Sequence, residues 1–136
     1  MTARSSARAL VATLALLWLG VVTGLGQTVQ DKLYSQAQAK QGLATYDRKC
    51  ATCHDGGTMG PELWGEAFLT QWAGKDAAAL YTRIKDTMPE DSPGSLEEDE
   101  ALGIVAFVLQ QNDFPAGDKA IESASQLAGV KIVGPK

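Results

Sequence analysis

Residues 50–54 read Cys50-Ala51-Thr52-Cys53-His54, and this C-x-x-C-H run constrains the chain more than any other feature. It is the attachment pattern of a c-type haem. Two thiols about one helical turn apart can each add to a vinyl group of the same porphyrin. The following imidazole then reaches the iron from the same side. Cys50 and Cys53 are the candidate thioether links and His54 the candidate proximal ligand. A chain so marked must supply an apolar pocket, and for electron transfer a second axial ligand, with methionine the partner that raises the potential.

The rival uses of the same residues are weaker. One disulfide is open to an exported two-cysteine protein. A thiol-redox C-x-x-C pair belongs in a βαβ setting, whereas the flanks here have helical spacing. Zinc would need four ligands, and the chain has two cysteines and one histidine.

The start of the chain points to export. Arg4 and Arg8 precede an uncharged apolar stretch over residues 9–26, which closes on Gly24-Leu25-Gly26. That is the layout of a signal peptide cut before Gln27, residues 1–26 being the leader. The alternative is an uncleaved membrane anchor, for which the stretch is barely long enough. The chain of 136 residues otherwise fits one domain, residues 27–136, with 118–136 as a C-terminal tail. Loss of the leader removes two arginines and no acids, taking the formal charge from −4 to −6. No basic stripe is present, which argues against nucleic acid as a partner.

Helical signals dominate after the leader. Ser35 and Gln38 fit a capping box, and Ala39, Leu43, Tyr46 and Cys50 recur on one face of the helix that follows. Gly42 inside that helix is either a close-contact glycine or a neutral surface one. Leu63, Trp64, Phe68, Leu69 and Trp72 form an apolar patch without clean period. Asp76 caps a second helix to Thr87, with Leu80, Ile84 and Met88 on one face, and Pro89 ends it. Ser95-Leu96-Glu97-Glu98 reads as a second capping box, opening an apolar helix that ends near Asn112. The tail either wraps the body or stays loose. Nothing alternates as a sheet would.

The distal ligand comes from Met88 or Met59. Met59 lies five residues after His54, a short path around a macrocycle. Met88 has a helix to carry it to the far face and a proline to hold it, and is preferred. The Pro61 carbonyl is the candidate acceptor for the second ring nitrogen of His54, against a plain turn proline. Trp64, Trp72, Tyr81 and Arg83 are candidate partners for the haem propionates.

From Gln36 to Gln111 the chain resembles class I c-type cytochromes. The resemblance is carried by Gly42 and Tyr46, then Cys50-Ala51-Thr52-Cys53-His54, then Gly60-Pro61-x-Leu63, then Met88-Pro89, and last Phe107. It implies an all-α class I cytochrome c fold, with three to five helices around one covalently attached haem c. It implies that Gly42, Tyr46 and Phe107 meet where the first and last helices cross. It also supports Pro61 as the His54 acceptor and Leu63 as a haem-packing residue. The segments Met88–Leu96 and Gln111–Gly117 resemble bacterial periplasmic cytochromes that occur alone or fused to quinoprotein dehydrogenases. The expected function is a periplasmic one-electron carrier, not an enzyme, with His54 and Met88 as iron ligands. Its partners would be redox proteins, among them a quinoprotein dehydrogenase and an oxidase or other cytochrome. Membrane contact follows only from an uncleaved leader. The alternatives are a haem enzyme or gas sensor with an open sixth position, and a haem-free thiol oxidoreductase.

Overall fold

The computed structural model describes residues 26–134. Apart from Gly26, the expected leader lies outside the described residues. Five α-helices follow in order, α1 (Gln36–Lys49), α2 (Ala51–His54), α3 (Gly65–Trp72), α4 (Ala77–Thr87) and α5 (Glu98–Gln111). Single 3-10 turns occupy Asp55–Gly57 and Ala124–Leu127. The described residues hold no strand, only isolated bridges such as Thr28 with Lys131. The fold is all-α. None of the described helices is long and apolar enough to cross a membrane.

The pairing of α1 with α5 is the spine of the molecule. A Cβ at Gly42 would overlap the carbonyl carbon and oxygen of Gly103, so the two backbones touch where neither residue has a side chain. Tyr46 and Phe107 pack beside that contact with ring centroids 5.0 Å apart, and Trp64 joins them at 5.8 Å from Tyr46. Such tilted aromatic pairs add to simple area burial. Gly42 is therefore a close-contact glycine. The contact also rotates the buried stripe of α1 to Gln38, Ala39, Gly42, Thr45 and Tyr46. Leu43, expected on that face, is 40 % exposed.

Helix ends depart from the sequence expectation in instructive ways. Ser35 caps α1 by accepting from the Gln38 amide at 3.2 Å. The Gln38 side chain does not return the bond. It is buried and grips the tail, donating to the Ile121 carbonyl at 2.8 Å and accepting from the Ile121 amide at 2.9 Å. The second capping box lies two residues later than Ser95, formed by Glu97 and Glu100. Glu100 also receives Lys49 at 2.8 Å, which joins the end of α1 to the start of α5.

That ion pair gives a pH dependence. Hydrogen bonds from Lys49 and then from the Glu97 amide hold the Glu100 carboxyl below its ordinary value of 4.5. A group depressed on folding stabilises the fold above its unfolded pKa, and the gain is lost as pH falls through the folded value. Urea midpoints of Glu100→Gln and the parent are expected to differ at neutral pH and to converge well below pH 4.5. A constant difference down to the acid end would remove Glu100 from the account.

Helix α3 has no side-chain cap of its own. Its cap is Asn112, buried at the end of α5, whose Oδ1 accepts from the Gly65 amide at 3.0 Å. Asn112 Nδ2 donates to the Leu63 and Val108 carbonyls at 3.0 and 2.8 Å. Phe68 and Trp72, one turn apart, then face the core. Asn112→Ala strips several buried partners at once and is expected to cost about 2–3 kcal/mol, read as a shift in the urea midpoint.

The tail wraps the body. Ile121, Leu127, Val130 and Ile132 are buried. Val130 O accepts from the Ala77 amide at 2.8 Å, and Ile132 O from the Gly74 amide at 2.8 Å. The tail thus supplies the backbone acceptor at the start of α4. Asp76, expected to cap that helix with its side chain, makes no capping bond and pairs with Lys131 at 2.7 Å instead.

Candidate functional site

The local fold assembles the C-x-x-C-H run in one tight turn. Helix α1 ends as the Cys50 amide donates to Tyr46 O at 2.8 Å. The Cys50 carbonyl then takes the amides of both Cys53 and His54 at 3.1 Å. One short helical turn therefore displays Cys50, Cys53 and His54 together. The two thiols are not joined to each other.

The loop after His54 closes back on the ring. The Gly60 amide donates to Cys53 O at 2.9 Å. His54 Nδ1 lies 2.7 Å from the Pro61 carbonyl oxygen. A carbonyl can only accept, so Nδ1 is the donor here, and in the neutral tautomer this selects, Nε2 has the lone pair. Nε2 has no hydrogen-bond partner among the described residues. A Cβ at Gly60 would sit 2.8 Å from Cε1 of the same ring. The glycine is thus needed for the loop to lie against the imidazole, a role not evident from its place in a glycine-rich stretch. Tyr46 donates from its hydroxyl to Asp55 Oδ1 at 2.8 Å, tying the start of this loop to the aromatic cluster. Burial first, and then that bond, raise the Tyr46 hydroxyl above its ordinary 10.0.

These residues open onto a cleft of about 350 Å³. Cys50, Cys53, His54, Pro61, Leu63 and Met88 all line it. Leu80 and Ile84 of α4 and Ile104 and Val108 of α5 form apolar wall. The α5 pair was hidden in the sequence, because residues 101–109 are all buried and so show no helical period. Met59 lines the cleft too, but is 67 % exposed, whereas His54 is 9 % exposed. Among the residues considered for the propionates, Trp72 and Arg83 reach the cleft. Trp64 is instead part of the aromatic cluster, and Tyr81 packs on the core.

The donor set fits a c-type haem. Two unpaired thiols, an imidazole with a free Nε2 and a thioether surround an apolar slot. Burial pushes the Cys50 thiol up to about 11, with Lys49 pulling down and Cys53 pushing up by lesser amounts. In the haem-free chain that sulfur is therefore protonated at neutral pH and a slow partner in disulfide exchange.

The profile of the family described as cytochrome c oxidase, cbb3-type, subunit III matches residues 37–108. The chain belongs to this cytochrome c family. Its cofactor is haem c, covalently bound and carrying iron, and the single C-x-x-C-H run sets the number at one. The cytochrome is a haem-based electron carrier that works with redox protein partners. The matched span runs from the start of α1 into α5, and so includes the attachment run, Pro61, Leu63 and Met88. Among curated proteins and among solved structures, none gives a significant match.

Proposed function

We propose that this cytochrome is an exported, periplasmic one-electron carrier of the class I type, with its iron held between His54 and Met88. One observation carries the reading. The His54 ring, with Nδ1 taken by Pro61 O at 2.7 Å, shares its cleft with Cys50, Cys53 and Met88.

The haem supplies the one-electron chemistry when bound. The residues make that chemistry fast and keep it selective. Cys50 and Cys53 would hold the macrocycle through thioether links. The Pro61 carbonyl holds the His54 tautomer and makes the imidazole a better donor. Met88 would be the second protein ligand to the iron, so the same two residues would serve both oxidation states, and a thioether there would favour the ferrous form. Leu63, Leu80, Ile84, Ile104 and Val108, which line the cleft, would exclude water from the iron. Arg83 and Trp72, which line the cleft, would be the propionate partners.

Electrons would come from a dehydrogenase, with quinoproteins the class suggested by the resemblance of residues 88–96 and 111–117. They would leave to an oxidase or another cytochrome, in keeping with the oxidase subunit named in the family description. Glu90 lies at the cleft, and Asp91, Glu97 and Glu98 are exposed nearby in sequence. These charges would steer a basic partner. Electron-transfer rates that do not fall with ionic strength would remove the steering.

The thiol oxidoreductase alternative wants a reactive thiolate, and Cys50 is pushed the other way. The decisive experiment is an optical spectrum with an intact mass of protein from a periplasmic fraction. The expected mass is the chain from Gln27 plus one haem. The ferric spectrum should show the Met–iron band near about 695 nm, characteristic of His/Met sites. Colourless protein from a host able to mature c-type cytochromes overturns the reading. A haem protein without that band, binding carbon monoxide readily, would belong to the open-site alternative.

A further inference from the structure

We propose that the C-terminal strap, residues 130–132, is a positioning element for the axial ligand Met88, acting through α4. The proposal rests on the His54/Met88 reading.

Helix α4 ends in Met88, whose amide donates to Ile84 O at 3.1 Å. Of its three buried residues, Ala77, Leu80 and Ile84, two line the haem cleft. All three belong to the hydrophobic core, so this face is seated on protein as well as on the slot. The N-terminal end of the helix has a second hold. At its N-terminus, the first helical amide, Ala77, is taken by Val130 O at 2.8 Å. The cap residue Asp76 makes no capping bond and is held by Lys131 at 2.7 Å. Just before the helix, Gly74 and Lys75 exchange backbone bonds with Ile132 at 2.8 and 2.9 Å. Val130 and Ile132 are fully buried while they do so.

Three consecutive residues of the tail therefore hold the start of α4 through backbone hydrogen bonds and an ion pair. An α-helix is a stiff rod, with about 1.5 Å of rise per residue. An error in seating at Ala77 is carried along 11 residues to the sulfur at Met88. The strap sets the fraction of molecules in which the thioether meets the iron.

The test uses the full holoprotein and three variants, namely a chain ending at Gly129, Ile132→Ala, and Asp76→Ala. The readouts are the ferric band near about 695 nm, the carbon monoxide binding rate of the ferrous form, and helical circular dichroism. The strap variants are expected to keep covalent haem and helicity. The band should fall by about half or more, and carbon monoxide should bind about tenfold faster, as the closed state loses population. If the truncated chain fails to fold, the two point variants decide. Tyr34→Phe is the control for general destabilisation, since it removes a bond to Phe114 O of 2.6 Å outside α4. It should leave the band alone. An unchanged band and rate in the strap variants overturn the proposal, as does a Tyr34→Phe loss equal to theirs. Met88→Ala in the full chain separates the two claims. If the band survives that change, the ligand assignment has failed and the proposal fails with it. If Met88→Ala abolishes the band and the strap variants do not, only the strap proposal is lost.

Discussion

Met88→Ala is expected to lower the reduction potential by a few tenths of a volt, a part of the ≈0.8 V that axial ligands span. The same change should let carbon monoxide and small anions reach the iron. On the proposed His54/Met88 ligation, the cause would be loss of a soft thioether that favours the ferrous state. Met59→Ala should do neither. Both methionines border the cleft, so position alone does not separate them. Their settings favour the proposed choice of Met88. Met88 is held by the hydrogen bond from its amide to Ile84 O, at the end of a helix that presents Leu80 and Ile84 to the same slot. Met59 stands 67 % exposed, in the loop that turns back under the His54 ring. Redox titration of both variants checks the assignment, and the reverse pattern would transfer the ligand role to Met59.

The other large effect belongs to the helix crossing. Gly42→Ala places a methyl inside the Gly103 carbonyl. Backbone cannot step aside as a side-chain tip can, so α1 and α5 must separate. We expect a cost of about 3 kcal/mol or more, at the upper end of overpacking, and a fall in Tm on the order of 10–20 °C. Gly103→Ala is the informative contrast. Its Cβ would lie 3.3 Å from Gly42 Cα and N, tight but not overlapping. Alanine also regains up to about 1 kcal/mol of helix propensity. The expected result is a change within about 1 kcal/mol of neutral. Equal effects at the two positions would mean that the crossing is not as close as described.

What could be read from the sequence was what local chemistry writes locally. The attachment run, the helices before and after it, and the stop at Pro89 each depend on neighbours within a turn or two. The fold class and the haem followed from those. Helix α3 was obscure because its cap is Asn112, remote in sequence and itself at another helix's end. Gln38 looked like half of a capping box, whereas its amide grips Ile121. The walls Ile104 and Val108, and the contact glycine Gly103, sit in a stretch of α5 buried on every side, where periodicity carries no signal. The tail was undecided for a related reason. Its hold on α4 is largely backbone hydrogen bonding, which any sequence can make.

The strap has one more consequence, for engineering. The amide of Lys131 donates to the carbonyl of Gln27 at 2.8 Å, so both ends of the described body emerge side by side. Cargo joined at either end would leave from the same corner and present the redox opening in the same direction. A short bridge between those ends, with new termini cut in an exposed turn, should yield a permuted carrier that still closes around its porphyrin.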